Sequence, residues 1–547
     1  MKKALFILLL LPFCTLTRAQ ESGHNFDVTR NIDTFTAIYK NLDMMYVDSL
    51  NPSEVIGTGI KAMLRSLDPY TEYYPADEVK NLKTMFTGKY AGIGATVRKN
   101  LLTGNVIIEQ PYDGMPAAEV GLIKGDEIVS IDDSIMLGKD VSYVSEHLRG
   151  DAGTTFLLKT KRNGQPMTFK VTRRAIQMPA VPYYGMLGED GIGYISLTSF
   201  TDDCSTDVRR AFIELRHRNM KGLILDLRDN GGGSVAEAVK IVNMFVPQGK
   251  TVVRLEGRIN RSRHEYTTQQ EPIDTVMPII VLVDGNTASA SEITAGALQD
   301  LDRAVIVGTR TYGKGLVQVP VDLPHNNTMK VTTAKYYIPS GRCIQAINYK
   351  HTGGGYMEHI PDSLTKVFYT AAGREVRDGG GIKPDVEIRP DSLTNIAFYL
   401  SASDSAEVML QWVVNYIHTH QNVESAETFR ITDAEYDDFK RCVLASNFKY
   451  DQETSRYLDE LIKIARFEGY YDDAAEEFTS LKTKLKHNTE RDLDKNKTLL
   501  KHILEDEIVG AYYYQSGIVA NRNGYDKQVI KARQMLLDPS FGEILKK

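Results

Sequence analysis

Two largely apolar segments constrain the fold of this chain more than any other feature. They are Gly222–Leu227 (GLILDL), apolar except for Asp226, and Ile279–Val283 (IIVLV), and each is followed by a helical pattern. Such runs are typical of strands covered on both faces, as in largely parallel sheets with helices on each side. Strand and helix patterns keep alternating from about residue 176 to residue 400. This region is therefore expected to form an α/β core with a largely parallel sheet.

The remaining residues divide into three regions of different character. Residues 20–87 read mainly as helix, with apolar side chains at three- and four-residue spacing between Ile32 and Leu42. Residues 88–175 contain short strand patterns broken by glycine turns, which predicts a small β-domain. Residues 401–547 are again mostly helical and show no chemical motif, so they predict an accessory helical domain that packs on the core or on a partner.

The first nineteen residues have the order of a secretory signal peptide. Lys2 and Lys3 precede the apolar run Ala4–Cys14, and Thr17-Arg18-Ala19 offers a small-x-small cleavage site. The run is shorter than the ~20 apolar residues that span a bilayer, and no later segment resembles a span. We therefore expect an exported protein without a stable membrane span.

Charge and cysteine content exclude several classes of protein. The formal net charge is −6, from 65 Lys+Arg and 71 Asp+Glu, and no basic run offers a site for nucleic acid. Removal of the signal peptide would leave Cys204, Cys343 and Cys442, which are widely spaced and odd in number. They form neither a disulfide framework nor a zinc set, and we expect no metal and no cofactor.

The segment Asn286–Glu292 (NTASASE) follows a buried strand and opens a helix. A serine at such a turn lies at the carboxyl edge of the sheet, close to helix N–H groups that can stabilise an oxyanion. The alternative is that Ser289 and Ser291 only cap the helix, with Glu292 supporting its first turn. The motif alone leaves both interpretations open.

A serine nucleophile needs a base, and Lys314 is a candidate. It lies in the glycine-flanked segment Gly308–Gly315, after the next buried strand, and therefore at the same sheet edge if the strands are parallel. Its pKa would have to fall from ~10.4 to about 7–8 by burial, and the alternative is a solvated loop lysine. Gln318 could orient the amine. None of the eleven histidines lies in a recognisable partner motif.

A third segment, Leu225–Gly233 (LDLRDNGGG), ends a strand in three glycines before a helix. The glycines leave backbone N–H groups free at the same edge, which suits an oxyanion hole. The segment lacks the Lys-Ser/Thr of a phosphate-binding P-loop.

Tyr90–Ala95 (YAGIGA), followed by Gly114–Ile128, resembles a PDZ domain of the bacterial protease type. In such domains this glycine loop holds a peptide carboxylate, and the peptide adds as a strand to the sheet edge. The resemblance assigns peptide binding to Gly92, Ile93, Gly94 and Ala95.

Taken in order, these segments resemble the carboxyl-terminal processing peptidases, or tail-specific proteases, which are Ser/Lys endopeptidases with an embedded PDZ domain. The resemblance covers residues 30 to 390, and it includes Ser66–Thr71 (SLDPYT), Tyr337–Arg342 (YIPSGR) and Gly381–Asp385 (GIKPD). It implies a multidomain α/β protein with a crotonase/ClpP-like peptidase core. The expected domains are a signal peptide (1–19), a helical N-terminal region (20–87), a PDZ domain (88–175), the Ser/Lys peptidase core (176–400) and a helical C-terminal domain (401–547).

The resemblance also implies a role for each site residue. Ser289 would be the nucleophile, Lys314 the general base and Gln318 its orienting partner. The oxyanion donors would be the amides of Ala290 and of Gly232 or Gly233. Asp300 matches an acidic position of the family and could instead be structural. Tyr70 stands where a His is frequent, and Cys343 stands where a Ser is frequent.

The implied activity is serine endoproteolysis through an acyl-enzyme, after the PDZ domain has captured the C-terminus of a protein in the periplasm or cell envelope of a bacterium. The expected partners are protein or peptide substrates with exposed C-termini, and an adaptor protein or homo-oligomerisation through the helical regions could add to them. Two alternatives stay open at this stage: a catalytically silent, PDZ-containing peptide-binding scaffold, and a crotonase-like acyl-transferring enzyme.

Overall fold

The computed structural model describes residues 4–79, 82, 88–346, 361–451, 453–486 and 488–546, with side chains from residue 23 onward. The chain forms two compact units. The first comprises Met1–Tyr74, Pro320–Val331 and Tyr349–Gly355, and the second comprises Pro75–Val319, Thr332–Asn348 and Tyr356–Lys547. Within the described residues, no helix has both the length and the apolar character needed to cross a membrane. The whole of the predicted signal peptide, residues 1–19, lies outside the residues whose side chains are described.

The first unit is helical, as predicted for the N-terminal region, and it adds a short strand. Its elements are α1 (Ala4–Met45), α2 (Pro52–Arg65) and β1 (Glu72–Tyr74). Asn51 caps α2 by accepting a hydrogen bond from the Ser53 amide at 3.1 Å, and Pro52 occupies the first helical position. Strand β1 pairs antiparallel with Thr328–Lys330.

Residues 89–177 form a small β-domain with two short helices. Its elements are β2 (Lys89–Gly92), β3 (Ala95–Lys99), β4 (Val106–Pro111), α3 (Pro116–Glu119), β5 (Glu127–Ile131), β6 (Ser134–Ile135), α4 (Val141–Leu148), β7 (Thr155–Arg162), β8 (Gln165–Thr172) and β9 (Arg174–Gln177). The main sheet has the order β3-β4-β5-β7-β8, so β3 is an edge strand. Its core is built from alternate strand residues and from the inner face of α4, including Ile108, Ile128, Val144 and Leu158.

The second unit continues as an α/β core. Its elements are β10 (Tyr183–Met186), β11 (Ile192–Ser196), α5 (Cys204–His217), β12 (Gly222–Asp226), α6 (Val235–Asn243), β13 (Thr251–Gly257), β14 (His264–Thr267), β15 (Ile279–Val283), α7 (Ala290–Asp300), β16 (Val305–Gly308), β17 (Leu316–Asp322), β18 (Thr328–Tyr337), β19 (Val367–Tyr369), β20 (Glu375–Arg377) and β21 (Val386–Glu387). Strands β17 and β18 continue in sequence into the first unit. The central sheet has the order β10-β11-β12-β15-β16-β21, and every neighbouring pair except β10–β11 is parallel. The largely parallel sheet predicted from the apolar runs is confirmed.

The region predicted to be helical, residues 401–547, consists mainly of helices, and the first helix begins before it, at Asn395. The helices are α8 (Asn395–Phe398), α9 (Val408–Thr419), α10 (Asp433–Ala445), α11 (Glu453–Glu468), α12 (Ala475–Lys484), α13 (Thr489–Lys495), α14 (Lys497–Arg522), α15 (Lys527–Leu537) and α16 (Phe541–Ile544). Most of them share one apolar core, to which Trp412, Phe439 and Leu504 belong.

Helix α15 departs from this arrangement because it covers the central sheet. Strand residues alternate between two faces. Leu225 and Val281 point toward the layer of α5, α6 and α7, whereas Ile224, Ile280 and Leu282 pack against Val529, Ala532 and Met535 of α15. The second helical layer that the continuous apolar strands require is therefore supplied from the C-terminal region.

The C-terminal helices also contact the β-domain through a partly buried group of charges, in which Lys124 and Glu407 are the buried members. Lys124 is 7% exposed and pairs with Glu109 and, at 2.7 Å, with Glu507. Arg98 pairs with Glu109 at 2.5 Å and with Glu407 at 2.7 Å. Removing one partner from such a group leaves an uncompensated buried charge, which is strongly destabilising. These pairs hold the β-domain against the C-terminal helices.

We predict that shortening Val529, which is 1% exposed in α15, lowers the free energy of unfolding. Val529→Ala removes contacts with the sheet and leaves a cavity, so a loss of about 2 kcal/mol is expected. Ile530→Ala, one residue along the same helix at a side chain that is 39% exposed, is the matched control and should lose less than about 1 kcal/mol. Urea denaturation followed by circular dichroism measures both. Equal effects of the two substitutions would show that α15 does not cover the sheet.

Candidate active site

Ser289 lies in an uncommon backbone conformation at the start of α7. Its φ is +58° and its ψ is −117°, a region that a residue with a side chain occupies only when its surroundings impose it. Strand β15 ends at Val283, and the turn that follows is fixed by Thr287, whose hydroxyl donates to the Leu227 carbonyl at 2.8 Å. The side chain is half-buried at the carboxyl edge of the sheet, as the sequence predicted.

The Glu292 carboxylate joins the Ser289 turn to the Lys314 loop. Its oxygen Oε2 accepts from the amides of Ser289 and Lys314, both at 2.9 Å. Its oxygen Oε1 accepts from the Thr311 hydroxyl at 2.6 Å and from the Gly313 amide at 2.7 Å. The turn that follows β15 and the loop that follows β16 are thus both hydrogen-bonded to the side chain of Glu292.

Burial of this carboxylate changes its titration. Glu292 is fully buried, and the loss of solvation raises its pKa from the ordinary 4.5 to about 7, even though its four hydrogen bonds act in the opposite direction. It therefore titrates within the range in which most enzymes work.

Tyr336, near the end of β18, forms a second link between the same loops. Its hydroxyl lies 3.2 Å from the Ser289 carbonyl and donates a short hydrogen bond to the Lys314 carbonyl. The side chain is 1% exposed. Glu292 on the amides and Tyr336 on the carbonyls fix the backbone of both residues.

The glycine loop runs next to the serine turn. A Cβ on Gly232 would lie 2.6 Å from the Ala288 carbonyl and 2.8 Å from the Ala290 amide, and its φ is +97°. Only glycine fits at this position. The buried Asn230 fixes the loop: its carbonyl accepts from the Ala288 amide at 3.0 Å and from the Ser291 hydroxyl at 2.9 Å.

Of the three amides expected to donate to an oxyanion, one already has an acceptor. The Gly232 amide donates to Asn230 Oδ1 at 2.9 Å. The amides of Gly233 and Ala290 donate to no acceptor among the hydrogen bonds of the described residues. Gly233 and Ala290 are therefore the two members of the set whose amides are available.

Gln318 and Asp300, the two other side chains predicted for the site, lie on different elements and have different hydrogen-bond partners. Gln318, on β17, donates to the Thr332 hydroxyl at 3.2 Å. Asp300 is at the other end of α7 from Ser289, about 16 Å away at 1.5 Å per residue. It pairs there with the buried Arg342 at 2.8 Å and accepts from the Ser340 amide at 3.0 Å. Its contacts are those of a structural residue.

The peptide-binding residues predicted in the β-domain run from the last residue of β2, Gly92, to the first residue of the edge strand β3, Ala95. The Ile93 carbonyl accepts from the Ala117 amide at 2.8 Å, and the Gly94 carbonyl accepts from the Tyr112 amide at 2.9 Å. The amides of Ile93 and Gly94 have no acceptor among the hydrogen bonds of the described residues. An edge strand beside free amides is the arrangement to which an extended peptide adds.

Sequence reasoning gave Glu292 only a capping role and missed Tyr336, Thr311 and Asn230. Glu292 could have been found from the Ser-x-x-Glu spacing together with its position between two glycine-rich loops. No local signal distinguishes Tyr336 from its neighbour Tyr337.

Within the described part of the chain, no group of His, Cys, Asp and Glu is arranged to hold a metal ion.

Comparison with known proteins is consistent with this architecture. The family profile described as "Peptidase family S41" matches residues 191–352, that of the "PDZ domain" residues 91–172, and that of "Probable PDZ-protease, C-terminal helical domain" residues 396–536. A "Carboxy-terminal-processing protease" of Bartonella bacilliformis is 35% identical over 326 residues, which cover 58% of this chain and 73% of the relative. A "Probable CtpA-like serine protease" of Staphylococcus haemolyticus is 30% identical over 351 residues, 62% of this chain and 70% of the relative. Among solved structures, the photosystem II D1 C-terminal processing protease has 26% identity and a TM-score of 0.36, and the match covers 66% of this chain and 93% of that one.

The fold, the three family profiles and the two curated relatives define a serine-type peptidase with a PDZ domain and a helical C-terminal domain, so the fold class predicted from the sequence is confirmed. The chain belongs to the family of carboxy-terminal-processing proteases.

We predict a pH-dependent effect on stability when Glu292 becomes Gln. Because the pKa of Glu292 is raised by folding to about 7, its contribution to the free energy of unfolding is greatest at low pH. That contribution falls by about 2.5 kcal/mol as the pH rises from 5 to 8. Gln cannot ionise, so the stability of Glu292→Gln relative to the wild type should improve by that amount over the same range. Urea denaturation at both pH values measures it.

Glu237 provides the matched control for this experiment. It is also buried and also accepts from a backbone amide, that of Ser205 at 2.9 Å, but its pKa lies below 4.5, chiefly because the Lys240 ammonium opposes the effect of burial. The stability difference for Glu237→Gln should stay constant between pH 5 and pH 8. The same constancy for Glu292→Gln would contradict the raised pKa.

Proposed function

We propose that the protein is an endopeptidase in which Ser289 is the nucleophile and Lys314 the general base. The observation that carries this proposal is the Glu292 carboxylate, which accepts hydrogen bonds from the amides of both residues at 2.9 Å. A buried side chain that fixes two strand-end loops is expected where a nucleophile and its base must keep a constant separation. The strained backbone of Ser289 supports the same assignment.

The proposed reaction is acyl transfer through an acyl-enzyme. Neutral Lys314 accepts the hydroxyl proton as Ser289 attacks the peptide carbonyl, and then gives that proton to the leaving amine. The amides of Gly233 and Ala290 stabilise the tetrahedral oxyanion, helped by the positive end of α7. Lys314 then deprotonates a water molecule that attacks the acyl group, and it returns that proton to the Ser289 hydroxyl as the ester bond breaks. Gln318, four residues further along, orients the lysine amine.

We further propose that the PDZ domain, residues 88–175, captures the C-terminus of a substrate protein. The amides of Ile93 and Gly94 would hold the terminal carboxylate, and the peptide would pair with the free edge of β3. The signal-peptide pattern of residues 1–19 supports export, so that substrates would be proteins of a bacterial cell envelope.

The catalytic assignment is tested with a protein substrate that carries an unstructured C-terminal tag. Ser289→Ala and Lys314→Ala should each lower kcat/KM by at least about 10³-fold, because the nucleophile and its base act as one unit. Lys335→Ala, which removes an exposed lysine from β18, is the control and should cleave at the wild-type rate. The rate of tag cleavage, followed by gel electrophoresis and mass spectrometry, is the measurement.

Two results would contradict the assignment. Cleavage that survives in Ser289→Ala or in Lys314→Ala would reject the dyad. A wild-type chain that binds the tagged substrate without cleaving it would favour a silent peptide-binding scaffold instead.

Capture by the PDZ domain is tested with the substrate rather than with the enzyme. A substrate whose C-terminal carboxylate is amidated should show a KM at least about tenfold higher, with kcat unchanged, because the lost interaction binds the ground state and the transition state equally. Equal KM values for the free and the amidated substrate would reject carboxylate capture. They would leave the dyad unaffected.

A further inference from the structure

The N-terminus of α15 lies against the strand end that leads into the glycine loop. Asp526 caps this helix, because its Oδ1 accepts from the amides of Gln528 at 2.8 Å and Val529 at 3.2 Å. Its other oxygen accepts from Arg228 at 2.6 Å, and Gln528 Oε1 accepts from the same guanidinium nitrogen at 2.7 Å. Arg228 comes two residues after the end of β12 and three residues before Gly231.

Arg228 is fixed on its other side by the core. The Asp226 carboxylate accepts from Arg228 Nε at 2.9 Å and from the Arg228 amide at 3.0 Å. The Tyr194 hydroxyl donates to Asp226 at 2.6 Å. One guanidinium therefore joins the central sheet to the first turn of α15, and both of its sides are engaged.

The chain between Arg228 and the oxyanion donors has little freedom to absorb a displacement. Asp229 has a φ of +57°, its amide donates to Asp284 at 3.1 Å, and its carboxylate accepts from Asn286 at 2.7 Å. The next residue is the buried Asn230, which is bonded to the serine turn. Gly232 then passes so close to Ala288 that a Cβ would not fit. Three of the four residues between Arg228 and Gly233 are held in this way, so a movement of Arg228 is transmitted toward Gly233.

We propose that Asp526 and Gln528 are positioning residues for the oxyanion loop, acting through Arg228. This inference rests on the proposed function, because it assigns the Gly233 amide to the oxyanion hole. The C-terminal helical region then contributes to catalysis, because the first turn of α15 fixes the position of the Gly233 amide that stabilises the negative charge of the transition state. Gln528 is well placed for this role, because it is 1% exposed and its Nε2 is anchored on the Ile388 carbonyl at 2.6 Å.

The same helix offers two matched controls. Lys527 pairs with Asp391, and Arg533 pairs with Asp190, and all four side chains are at least 38% exposed. Both pairs join α15 to the rest of the second unit, and neither includes Arg228 or a residue of the glycine loop. A substitution that breaks either ion pair therefore weakens the attachment of α15 without removing a contact to Arg228.

The experiment uses the full chain and the tagged protein substrate. Asp526→Asn keeps a good capping residue but removes the charge that faces Arg228, and Gln528→Leu removes the amide at similar size. Each should lower kcat about tenfold with KM within about twofold, because displacing an oxyanion donor weakens an interaction made only in the transition state. Lys527→Gln and Arg533→Gln should keep kcat within about twofold.

A second readout separates positioning from general loss of structure. A peptide boronic acid forms a bond to a serine hydroxyl and places a negatively charged oxygen where the oxyanion would lie. Its inhibition constant should rise about tenfold in Asp526→Asn and Gln528→Leu, whereas that of an uncleavable peptide of the same sequence should not change. If Asp526→Asn melts well below the controls, Gln528→Leu carries the comparison.

The outcomes distinguish this inference from the function on which it rests. If Ser289→Ala is inactive but Asp526→Asn and Gln528→Leu match the two controls in kcat and in boronate inhibition, the inference is overturned and the proposed function stands. If both inhibitors weaken equally, the role is structural and the inference is again overturned. If Ser289→Ala remains active, the proposed function fails first.

Discussion

The buried carboxylate of Glu292 is the interaction on which the rest of the site depends. It is an ionisable group without access to solvent, and folding tolerates it because four donors from two loops converge on it. Those donors come from the turn that carries Ser289 and from the loop that carries Lys314, so the chain cannot satisfy the carboxylate without bringing the two residues together. The raised pKa of Glu292 shows that burial disfavours its ionised form. The Tyr336 hydroxyl adds a second constraint, because it contacts the backbone carbonyls of Ser289 and Lys314.

The central sheet imposes the other requirement, which is a helical layer on each face. Helices α5, α6 and α7 provide one layer from within the core, but the second layer comes from α15, beyond residue 520. The C-terminal region therefore does more than pack on a finished core. It completes the burial of Ile224 and Ile280, it holds the PDZ domain through Glu407 and Glu507, and it reaches the glycine loop through Asp526.

The sequence predicted the parts of this architecture that have local causes. Continuous apolar runs identified β12 and β15, and a serine at a strand-to-helix turn identified the start of α7. It could not predict that Glu292 accepts hydrogen bonds from residues 19 to 22 positions away. A Glu in the first turn of a helix is equally suited to capping the N-terminus of that helix. It could not predict that Asn230 takes the Gly232 amide, since a side-chain acceptor competes for it only once the turn is folded. It placed α15 in an accessory domain because an amphipathic helix does not reveal which surface it covers.

Covalent labelling of the serine tests the central claim most directly. A fluorophosphonate probe would be added to the wild type, Lys314→Ala and Lys335→Ala, and the labelled peptide would be identified by mass spectrometry. We predict that the wild type and Lys335→Ala are labelled at Ser289 at the same rate, and that labelling of Lys314→Ala is at least about a hundredfold slower, because the nucleophile has lost its base. Labelling at another serine, or an undiminished rate in Lys314→Ala, would contradict the account.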